Sequence, residues 1–201
     1  MNIIETFIPK DTTSLLIELG WDHKENTAVD ALKGMVENLM SGSSEHTYDL
    51  NLAAIIEYTN EKKPELVFHS HDHHTDSNDA ILLSKDSRTG AMKVIDETIK
   101  INLVKLPYST KRITLFVNIS EGSVIAQDFP SIPNVFVQAV NKELEKTYWR
   151  EEEAFSSEEA KGMCNYAFAE LVQAEGGWTL RRINDFSKYD NEVEFFENFT
   201  K

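Results

Sequence analysis

Apolar positions along this chain fall into short runs, most of them spaced as strands are. Residues 13–20 (TSLLIELG) are apolar and closed by glycine, predicting a strand with Trp21-Asp22 at its end. Residues 27–40 differ. Val29, Leu32, Met35, Val36 and Leu39 recur at helical spacing, with Asp30, Lys33, Glu37 and Asn38 between them. Thr27 is placed to cap this helix, and Ser41-Gly42-Ser43-Ser44 stops it. A helical insert over 27–41 is therefore expected between two strands. Strands then dominate, at 49–58, 66–69, 80–83, 97–103, 112–119, 135–140 and 178–183.

Residues 157–172 carry two signals. Ser156 and Glu159 have capping-box spacing, whereas Cys164, Tyr166 and Phe168 alternate. A short helical turn leading into a strand satisfies both. The stretch 184–201 mixes acids with Phe186, Tyr189, Phe195, Phe196 and Phe199, so it is expected to pack on the domain. Long helices between strands are missing after residue 41. The pattern therefore predicts an all-β sandwich of two mainly antiparallel sheets with a helical insert near the N-terminus. It forms one domain over 1–201, with the insert at 27–41 and an acidic aromatic tail at 184–201.

Composition sharpens this picture. The chain has 201 residues, 41% of them apolar, enough for one sizeable core. A single cysteine, Cys164, excludes an intrachain disulfide and suits a reducing compartment. No basic or histidine neighbour activates it in sequence, so a small buried residue is expected. Lys plus Arg number 20 and Asp plus Glu 34, a formal net charge of −14. Such a chain repels nucleic-acid phosphates and anionic membranes, but attracts cations and basic protein patches. The same acidity keeps a protein soluble. The N-terminus lacks the basic and apolar regions of a signal peptide, and no apolar run approaches the roughly 20 residues of a membrane span. A cytoplasmic protein without direct membrane insertion or nucleic-acid partners is the expectation.

Several short motifs occur in a fixed order. They are Leu19-Gly20-Trp21-Asp22, Tyr48-Asp49-Leu50-Asn51-Leu52-Ala53, Asp86-Ser87-Arg88-Thr89-Gly90, Asp96-Glu97-Thr98-Ile99, Gln127-Asp128-Phe129, and Trp178 after Gly176-Gly177. Together they resemble the tellurium-resistance TerD family over about residues 13–183. The resemblance implies calcium held between loops at one end of a sandwich, and a role in resistance to tellurite and other stresses with protein partners of that system. It supplies no defined biochemical activity. For calcium it points to Asp49, Asn51, Asp86, Asp96 and Glu97. These are oxygen donors of the type calcium takes. The chain departs from the family where Ala91-Met92-Lys93-Val94-Ile95 replaces an acidic, glycine-rich loop, and where Asn51 replaces an aspartate. Fewer charged ligands weaken a calcium site. The alternative is that Asp49, Asp86 and Asp96 cap turns and strand ends in a metal-free sandwich.

A second cluster is His69-Ser70-His71-Asp72-His73-His74. On a strand, His69, His71 and His73 would share a face and could bind a transition metal, with Asp72 as ligand or support. A polar loop is the alternative, since Thr75-Asp76-Ser77-Asn78-Asp79 continues it. The chain holds no His-Glu-x-x-His, Gly-x-Ser-x-Gly or P-loop. The reading is therefore a non-enzymatic calcium-binding or interaction module. A metal-free interaction scaffold is the alternative, and a His-based metal-binding protein or metallohydrolase is a more distant one.

Overall fold

The computed structural model describes residues 5–22, 48–70, 72–84 and 95–200. The expected insert at 27–41 lies outside them. Among these residues, eleven strands form two sheets. They are β1 (Glu5–Pro9), β2 (Ser14–Gly20), β3 (Leu50–Tyr58), β4 (Glu65–Val67), β5 (Ile81–Leu83), β6 (Glu97–Asn102), β7 (Thr110–Ile119), β8 (Phe136–Asn141), β9 (Lys146–Glu151), β10 (Asn165–Ala174) and β11 (Gly177–Ser187). A helix, α1 (Glu192–Phe199), follows. One sheet runs β1-β11-β10-β7-β3-β4 and the other β5-β6-β2-β8-β9. Every pairing is antiparallel. This is the sandwich the periodicity predicts.

Alternation explains the layering. Leu15, Ile17 and Leu19 of β2 and Ile99 and Ile101 of β6 share one core with Leu50, Leu52, Ala54 and Ile56 of β3 and Ile113, Leu115, Val117 and Ile119 of β7. A bulge between Ala167 and Ala169 of β10 breaks the period of two. It sends Phe168 and Ala169 to the main core while Ala167 faces the other way. Cys164, only 2% exposed, sits in the core, as its surroundings in sequence suggest. Burial, with Asp190 and Asp128 nearby, pushes its thiol up to about 11.

The ambiguous stretch resolves as a 3-10 turn at Glu158–Ala160 followed by β10. Ser156 makes no capping box; its hydroxyl donates to Glu153 O at 3.2 Å. Two edge strands, β1 and β9, were not expected from the pattern. Each pairs along one side only, and its polar, irregular sequence (ETFIP and KTYWRE) hides the alternation. The tail packs as expected, but through helix α1. Asn191 caps it by accepting from Glu194 N at 2.9 Å. Phe195 is buried against Phe116, ring centroids 4.6 Å apart.

Glu65 fastens the β3–β4 hairpin to the turn at 76–80. Its carboxylate accepts from Tyr58 Oη at 2.6 Å, Ser77 N at 2.7 Å and Ser77 Oγ at 2.9 Å, and pairs with Lys62. Burial alone would raise its pKa. Hydrogen bonds from Lys62, Tyr58 and Ser77 outweigh that and hold it at about 2. The folded value lies below the ordinary 4.5, so the stabilisation is fully present above pH 4.5 and is lost as pH falls through 2. Glu65→Gln is expected to cost about 1–3 kcal/mol at pH 7 and almost nothing near pH 2. Urea unfolding of both proteins at the two pH values checks this.

Candidate functional site

Of the candidate calcium residues that the structure describes, Asp96 and Glu97 stand where β2 ends and β6 begins, with Asn51 on β3 and Asp49 just before it. Asp96 closes the end of β2. Its amide donates to Leu19 O at 2.9 Å and its carboxylate accepts from Trp21 N at 3.0 Å. Glu97 opens β6 and crosses to the other sheet. Its Oε2 accepts from Leu52 N at 2.7 Å. The reason is local. β4 pairs with β3 only along Ala54–Ile56, so among the described residues no strand reaches the Leu52 amide on that side, and Glu97 supplies the acceptor. Both acids are buried, Asp96 at 5% and Glu97 at 1% exposure.

Asn51 and Asp49 lie beside this corner. Alternation puts Leu50 and Leu52 in the core and leaves Asn51 on the outer face with Ala53 and Ile55. Opposite Asn51 on β7 is Asn118, whose amide donates to Cys164 O at 3.2 Å and Tyr189 O at 2.9 Å. Asp49 O accepts from Ser120 N at 2.9 Å, joining the start of β3 to the end of β7. Asp86 lies outside the described residues.

The donor set agrees in kind with calcium: three carboxylates and an amide, all oxygen ligands. It is incomplete in number. Asp96 and Glu97 each commit an oxygen to a backbone amide, and no three His, Cys, Asp or Glu side chains group as a metal site among the described residues. A calcium ion here would draw on further ligands.

The histidine segment is a turn and not a strand. β4 ends at Val67. Phe68 N then donates to His73 O at 2.9 Å, and His73 N to Ser70 O at 3.4 Å, closing the segment on itself. The His73 ring stacks on Phe68, centroids 5.5 Å apart. His69 and His73 therefore do not stand in a strand row, and His71 lies outside the described residues.

The structure also shows a cleft that no sequence signal announced, about 580 Å³ in volume, beside Trp21. Phe129 and Phe155 line it, and Arg150 and Glu152 stand at it. Arg150 lies over the Phe136 ring at 3.8 Å and donates to Glu152 and Gln138. Its lining comes from residues 21–22, 129–136 and 150–156, and only folding joins these stretches.

With this geometry in hand, comparison with known proteins decides the family. The TerD domain model matches residues 8–190. The chain belongs to the TerD family. It is similar to tellurium resistance protein TerX of Serratia marcescens, 31% identical over 207 residues, covering 94% of this chain and 91% of that protein. Tellurium resistance protein TerD of the same organism is 24% identical, covering 85% and 79%. A crystal structure of a Streptomyces coelicolor A3(2) homologue of the telluride resistance protein (TerD) superposes with a TM-score of 0.64 at 17% identity, covering 92% and 95%. At that identity the likeness speaks for the fold. Among the described residues, no helix of this TerD-family chain is long and apolar enough to cross a membrane.

Proposed function

We propose that this TerD-family protein is a non-catalytic interaction module of a tellurite or general stress-resistance system, responsive to calcium through weak binding at the Asp96–Glu97 end. The names of its relatives support the system; the buried acids support the site. The observation that carries the reading is the cross-sheet bond from Glu97 to the Leu52 amide, next to Asp96 on Trp21 N. These two adjacent residues set the ends of β2 and β3, so any change in charge at this corner acts on both sheets. A bound calcium ion would supply positive charge against the acids. Asp49, Asn51, Asp96 and Glu97, with Asp86, are the residues that would hold it. Basic patches on protein partners suit a chain of net charge −14. A reducing, cytoplasmic setting suits its single buried cysteine.

Calorimetric titration of metal-stripped protein is expected to give a dissociation constant of about 10⁻⁴–10⁻³ M, the range of lightly charged sites. Asp49→Ala and Asp86→Ala should each abolish the heat, with a parallel loss of calcium-dependent thermal stabilisation. No heat at millimolar calcium would sink the calcium reading. It would leave the metal-free scaffold, in which Asp96 and Glu97 serve the backbone alone.

A further inference from the structure

The cleft beside Trp21 combines two features that the fold alone does not call for. Phe129, Phe155, Ile132 and Val135 line it and are buried, whereas Asp22, Glu152 and Glu153 line it and are exposed. The floor is therefore apolar and the opening acidic. One base, Arg150, answers three carboxylates, and it is already engaged. Its guanidinium lies over the Phe136 ring and donates to Glu152 and Gln138. Asp22 accepts from a neutral amide, that of Asn134. Neither Asp22 nor Glu153 has a basic partner among the described residues. Two negative charges thus stand uncompensated beside aromatic rings, and such a site draws in cations.

Trp21 adds a polar group. Its backbone is fixed on both sides, since Trp21 N donates to the Asp96 carboxylate and Asp22 N to Pro133 O, each at 3.0 Å. The side chain is 3% exposed, and its indole N–H meets no acceptor among the described residues. A buried indole N–H ordinarily has one. The wall of a cleft of about 580 Å³ therefore lacks an acceptor, and its opening lacks positive charge.

We infer that the cleft receives an arginine-bearing segment of a partner protein. Arg150 displays the chemistry within the chain: a guanidinium laid on an aromatic ring and held by a carboxylate. A second guanidinium, from the partner, pairs with Glu153 and Asp22. Its methylene stem and an apolar neighbour cover Phe129, Phe155 and Ile132. A main-chain carbonyl of the same segment accepts from Trp21 Nε1. Arginine suits the site better than lysine, because a planar guanidinium both stacks on rings and forks onto carboxylates. Such a contact rests on the reading of the chain as an interaction module, and calcium has no part in it.

Heteronuclear NMR of the full chain without calcium, with a capped Leu-Arg-Leu-Arg peptide as probe, tests this. The Trp21 indole N–H signal, assigned by its loss in Trp21→Phe, should move as peptide is added. The same peptide with Glu in place of Arg should leave it still. Glu153→Lys should weaken binding about tenfold or more. Glu175→Lys is the control, an equal change of charge at an exposed acid outside the cleft. Equal weakening by the two substitutions would mean that overall acidity alone attracts the peptide, and overturns the proposal. A Trp21 signal that stays still at millimolar peptide overturns it too. Shifts confined to another surface would also overturn it while leaving the chain an interaction module with its contact elsewhere.

Discussion

Glu97→Ala is expected to lose about 2–4 kcal/mol of folding stability, among the largest effects of any single substitution in this chain. The carboxylate is 1% exposed and accepts from Leu52 N at 2.7 Å. Removing it leaves a buried amide without an acceptor, and desolvating an unpaired amide costs more than a typical hydrogen bond contributes. It also leaves a void where the two sheets meet. Glu97→Gln keeps an oxygen in the same place and should recover most of the loss. Urea unfolding at pH 7 separates the variants. An alanine variant within about 0.5 kcal/mol of the parent would mean the carboxylate does not hold the sheets together.

Gly177→Ala is the second. A Cβ at this position would stand 2.2 Å from Ile8 O and 3.0 Å from Lys10 N, both backbone atoms that cannot swing aside. Gly177 pairs with Pro9, and Ala174 pairs with Gly177 on the other side, so the clash falls where β1 meets β11. The expected cost is about 2–4 kcal/mol, with β1 detached from the sheet. Amide exchange should show Phe7 and Ile8 losing protection before the rest of the sheet. Gly162→Ala is the control. Nothing lies within 4 Å of its Cβ, and only its φ of +66° opposes the change. About 1 kcal/mol covers that. Equal losses at the two glycines would mean that steric contact with β1 is not what Gly177 avoids.

Much of the sandwich was legible because its central strands are buried on one or both faces. Leu15, Ile17 and Leu19, or Ile113, Leu115, Val117 and Ile119, announce their strands by alternation alone. Edges are harder to read. Tyr148 and Trp149 of β9 are buried next to each other, which obscures a period of two. Helix α1 escaped because eight residues with an Asn cap and no basic C-terminal turn give little local signal; its reason to be helical is the trough it fills. At the candidate site, Asp96 and Glu97 were legible as acids of a motif. Their bonds to Trp21 N and Leu52 N were not, because these depend on where β4 stops and how the sheets stack. For the histidine segment the structure agrees with the polar-loop reading and not with the strand row. Spacing by two implies one face only on extended backbone, and the Phe68–His73 closure removes that condition.

Cys164 has a chemical corollary. It is the chain's single cysteine, 2% exposed, its sulfur directed to Gln127 O at 3.6 Å and its thiol held up to about 11. Thiolate is the species that attacks oxidants and soft electrophiles, and at neutral pH this residue supplies almost none. In the folded protein Cys164 is thus a poor nucleophile.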